Sequence, residues 1–180
     1  MHRTNFLALI QAHLARVSIG PSTVRGQGPG VARAGREFLS SLDLTQFQGL
    51  SETGFRTQLD STTLSLRTAM PRRTRSWGMA RKMLNIFLRD ALYSSQLSNA
   101  YELHTIEPFL ELPLDAVTSG YLRTSAGRGV LPRWLGVKHL VEGVSREYQE
   151  QASKAASELE IARVHLDAYW WGGRPAKSAA

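Results

Sequence analysis

Asp167 is the residue whose sequence surroundings most suggest chemistry, and it lies in the stretch 161–173, IARVHLDAYWWGG. Three large aromatic residues follow it within four positions, Tyr169, Trp170 and Trp171. A carboxylate that opens a helix among apolar neighbours has a fixed direction and a strong field. It can therefore stabilise positive charge that develops on a bound molecule and orient a water molecule for attack. Aspartate is also a common helix N-cap, and clustered aromatics are equally typical of a helix packed into a core.

A second candidate is the basic segment 71–82, PRRTRSWGMARK. It precedes and opens the most hydrophobic helix predicted in the chain, where positive charge opposes the helix dipole unless an anion compensates. The pattern predicts a phosphate held by the arginines together with the first N–H groups of that helix, and the alternative is a solvated loop. Five of the twelve residues are cationic: Arg72, Arg73, Arg75, Arg81 and Lys82.

The overall charge agrees with a polyanionic partner. The 180 residues carry a formal charge of +7 with a pI near 10.2, and arginine supplies 18 of the 22 basic residues. Arginine's planar fork suits phosphate oxygens, so double-stranded DNA is the first partner to consider. A genome that favours arginine codons would produce the same excess without a function, but the concentration of charge in one segment argues against that explanation.

Composition also excludes several classes of protein. No apolar run reaches the roughly 20 residues of a membrane span, so no membrane partner is expected. The absence of cysteine excludes disulfides and thiolate sites and fits a cytoplasmic location. The five histidines are scattered, with no helical pair beside an acid, so neither a metal nor another cofactor is predicted. The stretch 25–30, RGQGPG, lacks the Gly-Lys-Ser/Thr ending of a phosphate loop, and no Gly-x-Ser-x-Gly occurs.

Apolar residues recur at spacings of three and four, which predicts an all-α fold in a single domain, residues 1–173, with a flexible tail, residues 174–180. The clearest element is a buried central helix within 77–93. Asp115 is predicted to cap one later helix, and Ser145 another. The other expected elements are a helix ending before Gly20, one starting near Val31, and a broken or double helix between Phe55 and Met70.

The C-terminal third resembles the helix-hairpin-helix DNA glycosylase superfamily, over about 40 of the 180 residues. The stretch LPRWLGVKHL, 131–140, matches the Leu-Pro-led hairpin at Leu131, Pro132 and Gly136, although the usual hairpin has two glycines. Lys138 matches the family's lysine, and Asp167, 29 residues further on, matches its aspartate.

The resemblance implies an all-α enzyme that cleaves the N-glycosidic bond of a flipped, damaged or modified base and leaves an abasic site. Asp167 would stabilise the sugar cation and orient water, and Lys138 would form a Schiff base in a bifunctional, lyase-active member. Small members act in archaeal repair or in bacterial defence against phages with modified bases. The remaining expected contacts are DNA binding by Arg128, Arg133 and Gly136, and a base pocket or wedge from Trp134, Tyr169, Trp170 and Trp171.

Two other classes of protein remain open. A non-enzymatic helical nucleic-acid-binding protein would use Asp167 as an N-cap and the tryptophans as core. A protein-interaction module with a basic face would bind its partner without salt dependence and would have no affinity for nucleic acid.

Overall fold

The regular structure of the chain is helical throughout the part that is described. In the computed structural model the backbone is described for residues 3–172 and the side-chain surroundings for residues 5–170. Within that range the regular elements are α-helices and short 3₁₀ turns, so the prediction of an all-α fold class is confirmed. The predicted tail, 174–180, lies outside the described residues.

The α-helices are numbered in chain order. They are α1 Arg3–Ser18, α2 Val31–Ser40, α3 Glu52–Ala69, α4 Trp77–Tyr93, α5 Ser95–Tyr101, α6 Ala116–Ala126, α7 Glu142–Ser157 and α8 Leu166–Gly172. The 3₁₀ turns between them are Leu44–Phe47, Arg72–Thr74, Leu103–Phe109, Val137–His139 and Arg163–His165.

Helix α4 is the central element, as its apolar pattern predicts. Its residues from Gly78 to Leu88 are all buried, and Ser76 caps it by accepting a hydrogen bond from the Met79 N–H at 3.2 Å. The first core cluster forms where α1, α2, α3 and α5 pack around α4, with Phe87 at 0% exposure. Because the run from Gly78 to Leu88 is buried on all sides, a charged residue within it must find a partner inside the protein.

A second core cluster lies in the C-terminal third, where α6 and α7 pack on each other. Tyr148 of α7 is fully buried, and its hydroxyl donates to the carbonyl oxygen of Pro132 at 2.8 Å. Leu166, at the start of α8, packs into the same cluster. The hydrogen bond from Tyr148 therefore ties the glycine-containing loop 127–136 to the body of the protein.

Helix boundaries differ from the predictions at two places. The stretch from Phe55 to Ala69 lies in one continuous helix, α3, and Met70 is its C-cap. Thr63 fills the gap in the apolar pattern: it is buried, and its hydroxyl donates to the Leu59 carbonyl oxygen within the helix. Helix α7 begins at Glu142 with Val141 at its N-cap, so the prediction that Ser145 caps it is wrong.

Other boundary predictions hold. Asp115 caps α6 and forms a capping box with Thr118, as its position predicts. Helix α1 ends at Ser18, before Gly20, and α2 begins at Val31. None of the helices described is long and apolar enough to cross a membrane.

Candidate active site

A cleft of about 1000 Å³ lies between the two core clusters. Helix α4 contributes residues from Met79 to Tyr93 to its lining, and the end of α1 with the loop after it contributes residues 17–27. On the other side the cleft is lined by the segments 113–117 and 134–139 and by the start of α8. We call this space the central cleft.

The central cleft brings together four of the predicted site residues, which come from two separate stretches of the C-terminal third. Trp134, Gly136, Lys138 and Asp167 all line it. Lys138 is exposed, whereas the Asp167 side chain is only 13% exposed. The cleft therefore has a cation at its edge and a shielded carboxylate further in.

Asp167 lies in the first turn of α8 and is held by Arg89, which has no sequence pattern that predicts this contact. Arg89 of α4 donates from Nη1 to Asp167 Oδ2 and from Nη2 to Asp90 Oδ1, the latter at 2.8 Å. Burial on its own would lower the pKa of Arg89, but Asp90 and Asp167 outweigh it and the pKa is raised. The Ser18 hydroxyl donates to Asp90 at 2.6 Å and adds α1 to this network.

Lys82 lies two turns before Arg89 on the same face of α4 and is only 9% exposed. Its Nζ donates to the Thr23 carbonyl oxygen at 3.3 Å and lies 3.7 Å from Asp115 Oδ2. Burial lowers the pKa of Lys82, and Asp115 and Asp167 offset this only in part. Lys82 is thus a buried amine in the wall of the central cleft, which differs from the surface phosphate contact predicted for it.

Arg81 also has partners inside the protein. It is 4% exposed, and its guanidinium forms ion pairs with Asp60 and Glu111, each at 2.8 Å. It donates a further hydrogen bond to the Thr63 hydroxyl at 2.9 Å. The Arg81 guanidinium is therefore buried and already paired with Asp60 and Glu111. It is not exposed to make the predicted contact with DNA phosphates.

The start of α4 is covered by the chain itself. The Ser76 hydroxyl donates to the Lys138 carbonyl oxygen at 3.1 Å, and a Cβ atom added to Gly78 would lie 2.6 Å from Leu140 Cβ. The segment 137–140 therefore lies directly over the first turn of the helix. The prediction that an outside phosphate binds the first N–H groups of α4 is wrong, because protein occupies that space.

The remaining predicted DNA-binding cations lie at the surface. Arg72 and Arg73 are exposed in the turn before α4, and Arg75 is exposed while its guanidinium donates to the Thr68 and Met70 carbonyl oxygens. Arg128 and Arg133 are exposed in the loop 127–136. The DNA-binding role of these five residues stays a prediction.

Only one of the predicted aromatic residues has its side chain at the central cleft in the described structure. Trp134 lines the cleft and meets Tyr148 edge-on, with ring centroids 5.5 Å apart. Trp170 instead stacks on Tyr121 of α6 at 5.0 Å and packs against the second core cluster. Tyr169 is 56% exposed, and the Trp171 side chain lies outside the described residues.

No family model matches this chain, and comparison with curated proteins and with solved structures found no match to either. Among the residues whose positions are described, no group of three or more histidine, aspartate or glutamate side chains is placed to hold a metal ion.

Proposed function

We propose that this chain is a DNA glycosylase of the helix-hairpin-helix type, which cleaves the N-glycosidic bond of a flipped, modified or damaged base. The observation that carries the proposal is the central cleft, in which Asp167, Trp134 and Lys138 lie together. A volume of about 1000 Å³ is at the upper end of the range typical of small-ligand sites, so a nucleotide turned out of the duplex has room to enter.

The charge distribution of the central cleft suits this reaction. Its shielded lining carries three carboxylates, Asp90, Asp115 and Asp167, against two cations, Lys82 and Arg89. Cleavage of a glycosidic bond passes through a positively charged sugar, which a net negative interior stabilises. Among the described residues of the lining, the exposed Lys and Arg residues are Arg25 and Lys138, and no exposed carboxylate lines it, so the exposed charge has the sign needed to hold the flanking phosphates.

In this proposal Asp167 is the main electrostatic group. Arg89 fixes the direction of its carboxylate, because its guanidinium donates to Asp167 Oδ2. Trp134, held by Tyr148, offers a flat face for the extruded base. The substrates expected are bases whose modification weakens the bond to the sugar, in the context of either repair or defence against foreign DNA.

The test is an abasic-site assay on duplexes that carry candidate modified bases, with wild type and Asp167→Asn compared. Loss of one preorganised charged group predicts a fall in kcat of about 10²–10³-fold with duplex affinity retained. The matched control is Asp43→Asn, which makes the same change at an exposed carboxylate that caps the turn Leu44–Phe47, and it should retain activity. Equal activity in wild type and Asp167→Asn would exclude the assignment.

A lyase step would require an amine nucleophile, and Lys138 is the lysine that matches the family. Borohydride trapping of the protein on abasic DNA tests this, and the chain has only four lysines, Lys82, Lys138, Lys154 and Lys177, to distinguish. A trapped adduct that disappears in Lys138→Ala assigns the step to that residue. An adduct that persists there but disappears in Lys82→Ala assigns it to the buried amine instead.

A second candidate function is a non-enzymatic nucleic-acid-binding protein, and one contact favours it. The ion pair with Arg89 joins α8 to α4, which is a sufficient structural reason for an aspartate at position 167. On this alternative Asp167→Ala lowers stability and leaves duplex affinity nearly unchanged, and no substrate releases a base. A protein-interaction module would differ from both in having no salt-dependent affinity for DNA.

A further inference from the structure

A chain of three hydrogen-bonded side chains approaches the central cleft at the end of α4. Tyr93, the last residue of α4, is half-exposed and lines the cleft. Its hydroxyl lies 2.8 Å from His165 Nδ1, and the two rings stack with centroids 5.7 Å apart. His165 Nε2 lies 2.9 Å from Glu107 Oε1. The three residues come from three separate elements, so the fold itself assembles this chain.

The direction of these hydrogen bonds follows from the chemistry of their ends. An ionised Glu107 carboxylate only accepts, so His165 Nε2 carries the proton of that bond. In the neutral imidazole Nδ1 then has a lone pair and accepts from the Tyr93 hydroxyl. Burial raises the pKa of Tyr93, and Asp167 and Asp90 add to this while Arg89 opposes it. The phenol is therefore protonated at neutral pH and supplies the donor that the chain requires.

In this chain the hydroxyl can pass its own proton to the imidazole, whose other nitrogen is held by the carboxylate. The hydroxyl oxygen can then accept a second proton. When Tyr93 receives a proton from a bound molecule, it can pass its own to His165, and Glu107 stabilises the imidazolium that forms. Tyr93 lies one turn after Arg89, the residue that pairs with Asp167. Tyr93 and Asp167, the carboxylate assigned to the sugar cation, therefore line the same cleft.

Asp167 already accepts a hydrogen bond from Arg89. Its Oδ2 receives the Arg89 guanidinium, and its negative charge serves to stabilise positive charge on the sugar. Hydrolysis nevertheless needs an acceptor for the proton that the attacking water loses. An electrostatic group and a base are therefore separate requirements, and the central cleft has a candidate for each.

We propose that Tyr93 is the general base of the reaction and that His165 and Glu107 are positioning residues that receive its proton. The inference rests on the proposed glycosylase function. The water oxygen bonds to C1′ of the sugar while the C1′–N bond breaks and its electron pair leaves with the base. One water proton moves to the Tyr93 oxygen, and the Tyr93 proton moves to His165 Nδ1. The released base takes a proton from solvent, and His165 returns its proton to solvent.

The test compares single-turnover base release and duplex affinity in wild type and Tyr93→Phe. Loss of a general base predicts a fall in rate of about 10²–10⁴-fold with affinity unchanged. The matched control is Tyr121→Phe, which removes a hydroxyl from a similarly exposed tyrosine of α6 and should leave the rate unchanged. His165→Gln and Glu107→Gln should lower the rate in the same direction, and Glu107→Asp should recover part of the loss.

Added azide distinguishes a missing base from a damaged structure. Azide is an anion that attacks C1′ without losing a proton, so it should restore base release in Tyr93→Phe and give an azido sugar detectable by mass spectrometry. Azide should not restore a cleft that has lost its shape. If wild type releases a base and Tyr93→Phe is as fast, or is slow and not rescued, the relay is overturned while the glycosylase proposal stands. If wild type releases no base from any duplex, both proposals fall.

Discussion

At the scale of single residues, the charged side chains of α4 are explained by partners inside the protein. Arg81 pairs with Glu111 and Asp60, and Asn85 of the same helix donates to Glu111 at 3.0 Å. Arg89 pairs with Asp90 and Asp167. A buried charge is tolerated only when it is paired and hydrogen-bonded. The pairs with Asp60, Glu111 and Asp167 therefore fix the position of α4 relative to other parts of the fold.

Removal of one member of the Arg81 pair should be costly. Glu111→Gln leaves a 4%-exposed guanidinium without its main counter-charge, and breaking a buried pair in this way costs about 3–5 kcal/mol. Urea denaturation monitored by circular dichroism measures the change. Glu147→Gln, at an exposed position of α7, is the matched control and should change stability by less than about 0.5 kcal/mol. A loss for Glu111→Gln as small as that of the control would contradict the assigned role of the pair.

The same carboxyl should contribute to acid denaturation. Burial alone would raise the pKa of Glu111, but Arg81 and then Asn85 outweigh it, and the pKa lies below its usual value of 4.5. A carboxyl whose pKa is lowered in the folded state contributes its full stabilisation above pH 4.5. That contribution is lost as the pH falls through the lowered pKa. The difference in unfolding free energy between wild type and Glu111→Gln should therefore be constant near neutrality and shrink below pH 4.5. A difference that grows on acidification would have the wrong sign.

The sequence showed the candidate carboxylate and one aromatic wall of the cleft but not their partners. Asp167 and Trp134 stand out because polar and aromatic types at a predicted helix start and in a glycine loop are visible in the printed chain. Arg89, 78 positions before Asp167, is visible only as a charge within an apolar helix. Periodicity reports which face of a helix is buried and carries no information on which distant residue it meets. For that reason the sequence pattern does not predict that Arg81 and Lys82 are buried.

At the scale of elements, the contact between α4 and the segment 137–140 links the glycine loop to the central helix. The helix predictions are correct where a long run of apolar residues has regular spacing, as in α4. They fail at starts such as that of α7, where Val141 occupies the N-cap and no side-chain cap hydrogen bond marks the end. The close approach at Gly78 likewise depends on a residue about sixty positions away and has no signature in the local sequence.

Gly78→Ala should disturb this contact and through it the central cleft. The added methyl group would meet the carbonyl oxygen of Val137 and the Cβ of Leu140, and overpacking of this kind costs about 1–3 kcal/mol. The segment would have to move outward, taking Lys138 with it, so we expect weaker duplex binding as well as lower stability. Denaturant unfolding and a fluorescence binding assay measure the two effects.

Gly120→Ala is the control for that substitution. Gly120 is an exposed residue inside α6, and an added Cβ meets nothing within 4 Å. Alanine there should raise stability by about 0.5–1 kcal/mol through helix propensity and leave duplex binding unchanged. If Gly78→Ala and Gly120→Ala changed stability and duplex binding alike, this would contradict the proposal that Gly78 makes room for the segment 137–140 against α4.

At the scale of the whole molecule, two core clusters flank a cleft whose shielded charges are largely paired, and exposed cations lie at its edge and outside it. Of the cationic segment 71–82, Arg81 and Lys82 are buried, while Arg72 and Arg73 extend from a short 3₁₀ turn with no buried residue. Exposed arginines such as these two, in a chain with a net charge of +7, are the ones that can act on a polyanion. This division separates the exposed residues proposed to bind DNA from the buried residues that hold the cleft in shape.

Salt dependence should distinguish these two groups of cations. Each Lys or Arg that neutralises a DNA phosphate contributes about −0.9 to the slope of log Kobs against log salt concentration. The double variant Arg72→Ala, Arg73→Ala should therefore flatten the slope by about 2 and weaken binding to all duplex sequences alike, with stability unchanged. Arg33→Ala with Arg56→Ala removes the same charge from exposed arginines that pair with Glu37 and Glu52 on α2 and α3, and should leave the slope nearly intact. If both double variants flattened the slope equally, net charge alone would account for DNA affinity, and the turn before α4 would lose its place in the binding surface.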